Sequence, residues 1–82
     1  MIVSIDIPEE DVKAILKRCN AYAKELGLNI PDSAHNGLVE AIVATMFENR
    51  YDQQGPALAE DMDFWIDDYR EDFKYIIKKY SK

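Results

Sequence analysis

Ile2-Val3-Ser4-Ile5-Asp6-Ile7, running straight into Pro8-Glu9-Glu10, constrains this chain more than any other stretch. Val3, Ile5 and Ile7 alternate with Ile2, Ser4 and Asp6, the period of two that marks a half-buried strand over residues 2–7. No other run of similar length reads as a strand. A lone strand leaves backbone donors and acceptors unpaired, which is costly wherever they are buried. The simplest solution is a homodimer in which two copies pair this strand across a two-fold axis, with Val3, Ile5 and Ile7 forming the dimer ribbon's inner face.

The rest of the chain reads as three helices within a single domain, residues 1–82. The first covers residues 9–26, opening on Pro8 and the acidic Glu9-Glu10-Asp11 that suit a positive helix N-terminus. Val12, Ile15, Leu16, Cys19, Ala23 and Leu26 make its apolar stripe, while Lys13, Lys17, Arg18 and Lys24 give it a basic flank. Gly27 is placed to stop it. The second helix covers residues 37–51 and is apolar over about half its circumference, which predicts contacts beyond its own chain. After the breaker Gly55-Pro56, a third helix over residues 57–80 carries a stripe that includes Leu58, Met62, Trp65, Ile66, Tyr69 and Phe73. The fold class is therefore mainly α, one N-terminal strand followed by three helices, the last of them long and acidic.

Strand, proline at the junction, amphipathic helix, glycine turn and second helix form an order that resembles the ribbon-helix-helix fold of small repressors and antitoxins. The resemblance covers residues 1–51. It implies paired N-terminal strands and four helices in a dimer core, with Ile2, Ser4 and Asp6 facing outward. Those outward positions hold no Arg, Lys, Asn or Gln for base edges, so direct DNA binding is not expected. The connector, residues 28–36, is longer than the family's turn, although Ser33 and Asn36 could occupy the phosphate-holding start of the second helix.

Charge and composition narrow the function classes. A net charge of -6 argues against general binding to nucleic acid or anionic membrane. No apolar run approaches a membrane span, and a single cysteine excludes an internal disulfide, which together fit the cytoplasm. Cys19 lies on an apolar stripe and His35 in a connector, and neither has the companions that nucleophilic or zinc chemistry requires. No catalytic residue, metal site or cofactor is assigned, and an enzyme is not expected.

The acidic helix carries the functional content. Seven carboxylates fall between Glu60 and Asp72, opposed only by Arg70. Neighbours three or four positions apart sit about 5–6 Å from each other, close to phosphate spacing, so the face reads as a nucleic-acid mimic. Phe64 falls among Glu60, Asp67, Asp68 and Glu71, and an aromatic ringed by charge is the usual makeup of a binding hot spot. The expected partner-binding set is Glu60, Asp63, Phe64, Asp67, Asp68 and Glu71. The expected function is that of a small inhibitor or regulator, antitoxin-like or resembling phage-encoded inhibitors, acting on a basic, nucleic-acid-handling protein. The alternatives are a ribbon-helix-helix transcriptional regulator and a structural or assembly protein.

Overall fold

The computed structural model describes residues 7–51 and 58–82, and their regular structure is entirely helical. Helix α1 spans Glu9–Glu25, a 3-10 turn Asp32–Ala34 leads into α2 at His35–Glu48, and α3 and α4 span Leu58–Asp68 and Arg70–Tyr80. Helix α1 starts where Pro8 fixes the backbone and its carbonyl accepts from the N–H groups of Asp11 and Val12 at 2.9 and 3.0 Å. No side chain caps it, so the three acidic residues of its first turn answer the exposed N–H groups by charge.

Helices α1 and α2 end in the same way. Gly27 stands at φ 74, its N–H donating to the Lys24 carbonyl and that of Leu28 to the Ala23 carbonyl. At the end of α2, Arg50 stands at φ 63, its N–H reaching Phe47 while that of Tyr51 reaches Met46. Both are Schellman closures, but only the first has the glycine that left-handed backbone favours.

The ribbon-helix-helix resemblance does not survive. Among the described residues there is no strand. Val3 and Ile5 lie outside the described residues. Ile7, the one described residue of the expected ribbon, is half-buried against the helical core instead of lying in a ladder. In a ribbon-helix-helix dimer the apolar face of the second helix is filled by another chain. Here α2 packs on α1 and α4 of its own chain, which bury Leu38, Val39, Ile42, Val43 and Met46. Most of the apolar excess that suggested a second chain is satisfied internally, while Phe47 stays 41% exposed. The DNA-reading regulator loses the fold resemblance that suggested it. In the first turn of α2 a Cβ built on Gly37 would lie 3.1 Å from the Tyr80 ring, so α4 ends against that turn.

The expected single helix over residues 57–80 is two helices with a bend at Tyr69, where φ is -123 and ψ 43. A straight helix of that length would run about 36 Å at 1.5 Å per residue, beyond the molecule's longest extent of 31 Å. Its far half would have had nothing to pack on. The bend lays α4 against α2 while α3 stays on α1. Tyr51 holds the end of α3 and the bend residue itself. The Tyr51 hydroxyl donates to the Asp68 carboxylate, and its ring meets that of Tyr69 edge-on at 5.7 Å. At the far end, Asn29 and Lys82 exchange backbone hydrogen bonds of 3.3 and 2.8 Å, tying the end of the chain to the connector.

Trp65 and Phe73 anchor the core across the bend, edge-on at 5.8 Å, and Tyr22 of α1 stacks on Phe73 at 4.7 Å. The Trp65 ring is fully buried, and its Nε1 meets no hydrogen-bond partner among the described residues. Trp65→Ala is expected to cost about 3–5 kcal/mol, a large share of what so small a domain holds. Gly27→Ala is expected to cost about 1 kcal/mol through backbone strain alone, since a Cβ there meets nothing within 4 Å. Urea unfolding midpoints measure both.

Candidate partner-binding surface

The outer face of α3 follows from its core face. Met62 and Trp65 turn inward with Ala59, so Glu60, Asp63, Phe64, Asp67 and Asp68 are left toward solvent. Phe64 is 55% exposed. Asp61 departs from the solvated face on which the helical wheel puts it: it is only 2% exposed, within the packed part of the molecule. Glu71 lies past the bend, in the first turn of α4 with Asp72, where both also complement that helix's N-terminus. The continuous wheel that placed Glu71 beside Phe64 does not extend beyond Asp68, because the helix axis changes direction at Tyr69.

Several of these carboxylates already have partners within the chain. Arg18 grips Asp63 with two hydrogen bonds, Nε to one oxygen at 2.7 Å and the terminal nitrogen to the other at 2.9 Å. Arg18 also donates to the Ala14 carbonyl at 3.1 Å, which fixes the guanidinium along α1. The hydrogen bond from Arg18 holds the Asp63 carboxyl below its ordinary value, against an opposing effect of burial. The same bond raises Arg18, with Glu60 adding attraction. Asp68 accepts from Tyr51, whose phenol is raised by that hydrogen bond. Asp67 lies 3.9 Å from Arg70, at the limit of an ion pair. Of the six expected residues, Glu60, Phe64 and Glu71 make no hydrogen bond or ion pair among the described residues.

Two hollows flank the face. At the bend, Asp67, Asp68, Glu71 and Asp72 surround a hollow of about 280 Å³ together with Arg70. Among the described residues no three of His, Cys, Asp and Glu are grouped to hold a metal ion. Beside the Arg18–Asp63 bridge, Tyr22, Ile66 and Phe73 line a mostly apolar groove of about 610 Å³ with Arg18 and Lys24 at its rim. Cys19 is fully buried, and burial pushes its thiol up to about 12, far from reactive. His35, the first residue of α2, stands 3.7 Å from Asp32 of the preceding 3-10 turn. No helix among the described residues is long and apolar enough to cross a membrane.

Sequence reasoning missed Arg18, Tyr51 and the burial of Asp61. The signal for Arg18 was present as a basic flank in which Lys13 has Glu9 four residues before it, whereas Arg18 has no acidic residue three or four positions away. Its target lies 45 residues away, and only packing of α1 on α3 selects Asp63 over the other carboxylates. A scan against protein-family models finds no match, and searches of curated proteins and of solved structures find none.

Asp63 gives a pH prediction with a defined sign. Its folded-state pKa lies below the unfolded value, so the pair stabilises the protein above about pH 4 and that contribution is lost as pH falls through the folded value. With the Asp63 side chain 55% exposed, the pair is solvent-screened. Asp63→Asn is therefore expected to cost less than about 1 kcal/mol at neutral pH. Its stability should converge on that of the unsubstituted protein in strong acid, as followed by urea unfolding across the acid limb.

Proposed function

We propose that this chain is a non-catalytic binding protein of the cytoplasm that docks the outer face of α3 on a basic, nucleic-acid-handling protein and inhibits or regulates it. The observation that carries this reading is Phe64, more than half exposed on a helix face with Glu60 and Asp67. A large apolar ring left in water among charges gains most from burial in a partner's pocket, while the surrounding carboxylates steer a basic surface toward it. The net charge of -6 extends that steering beyond the contact itself.

The intramolecular pairs sharpen the expected footprint. Asp63 and Asp68 are held by Arg18 and Tyr51, and a partner would have to displace those groups to use them fully. Glu60, Phe64 and Glu71 need no such exchange, and Asp67 has only the long 3.9 Å pair with Arg70 to give up. They are the residues on which the reading places the contact.

Affinity capture from the native host, followed by mass spectrometry, tests it with three baits: the unsubstituted protein, Phe64→Ala, and the charge reversal Glu60→Lys with Asp67→Lys and Glu71→Lys. The expected result is a basic nucleic-acid-binding protein retained by the first bait and lost from both others. With that protein purified, Phe64→Ala should mainly speed dissociation and the reversal should slow association. Equal retention by all three baits overturns the reading. Thermal melts should show both variants folded, since none of these side chains lies in the core.

A further inference from the structure

Between α2 and α4 runs an open groove of about 390 Å³, away from the Phe64 face. One wall is Ala41, Ala44, Thr45 and Glu48, and the other is Asp72, Tyr75, Ile76 and Lys79. Each set follows the spacing i, i+3, i+4, i+7, so each is a single helical stripe turned to the groove. The two helices run antiparallel, because Gly37 near the start of α2 meets Tyr80 at the end of α4. Glu48 and Asp72 therefore share one end of the groove, and Lys79 lies toward the other. The groove has a sign at each end.

Tyr75 stands near the midpoint, three residues from Asp72 and four from Lys79, and is 68% exposed. Among the described residues no hydrogen bond or ring contact engages it. The facing wall offers the small side chains of Ala41 and Ala44, and the Tyr80 ring closes the groove at its Gly37 end, so a second ring fits over the alanines toward the middle.

We propose that the groove is the site where two copies of this chain pair. A two-fold axis crossing the groove beside Tyr75 brings the two rings together over the alanine walls. The same operation reverses the groove's direction, so Glu48 and Asp72 of each copy face Lys79 of the other. A parallel arrangement would instead set the acidic ends on each other and the lysines on each other, which like-charge repulsion disfavours. The second copy is the occupant because its charges are the complement that the groove's two ends require. The contact is isologous and closes on itself, leaving both α3 faces outward. It uses neither the N-terminal residues nor Phe64 and does not rest on the partner proposed above.

Sedimentation equilibrium from micromolar to millimolar concentration tests it on the full chain. The expected result is a reversible monomer–dimer equilibrium, weakened about tenfold or more in Tyr75→Ala and in Lys79→Glu, which sets three carboxylates around each pair of ends. The complete reversal Glu48→Lys with Asp72→Lys and Lys79→Glu should restore dimerisation, whereas Phe64→Ala should leave it unchanged. Circular dichroism melts confirm that each variant is folded. A monomer throughout the concentration range overturns the proposal. So does a dimer indifferent to Tyr75→Ala, and a charge reversal that fails to restore pairing overturns the antiparallel arrangement.

Discussion

Burial of α2 is the constraint on which the rest of this structure depends. Leu38, Val39, Ile42, Val43 and Met46 are buried, and they spread too widely around the helix for one neighbour to cover them. Helix α1 covers one side. The remaining side needs a second apolar stripe, and the chain supplies it by bending at Tyr69 so that Phe73, Ile76 and Ile77 reach α2 and the core. No proline or glycine marks that bend. It arises because apolar burial outweighs the loss of regular helix at one residue, and because Tyr51, following the end of α2, holds Asp68 at the end of α3 and Tyr69 at the bend itself.

The same packing explains how so acidic a helix persists. Like charges three and four positions apart weaken α3 on its own. Met62 and Trp65 offset this by burial, and Arg18 draws Asp63 into a two-pronged hydrogen bond from a different helix. Exposed pairs contribute little each, so the apolar contacts decide the outcome and the charges choose the register. What remains outward is a face with Phe64 among carboxylates, distinct from the groove between α2 and α4 where the charge is divided by sign.

Helix α1, the apolar stripes and most of the core were legible in the sequence, because periodicity is a local property, whereas the expected three helices are four and α2 spans His35–Glu48 in place of residues 37–51. Helix α1 lies within one residue of its expected span, and Cys19 is buried on the stripe that contains it. Glu60, Asp63, Phe64, Asp67 and Asp68 are on the outer face of α3 for the same local reason. The alternation at the N-terminus and the order of elements suggested a ribbon, yet element order does not say which surfaces meet. An apolar excess on one helix is satisfied equally by a second chain or by a later segment of the same chain. Only the contacts distinguish them.

The sequence by itself determined that this chain is helical, acidic, closed at Gly27 and stiffened by a Trp-containing stripe, since each follows from neighbours a few residues apart. Tertiary structure decided the bend at Tyr69, the left-handed backbone of Arg50, the burial of Asp61 and the choice of Asp63 as the partner of Arg18. Each of these depends on residues far apart in the chain, where the energy of a contact exceeds the local preference that a sequence pattern records. Gly37 shows the division most simply. Its absence of a side chain is written in the sequence, but the Tyr80 ring that fills the space comes from the other end of the chain.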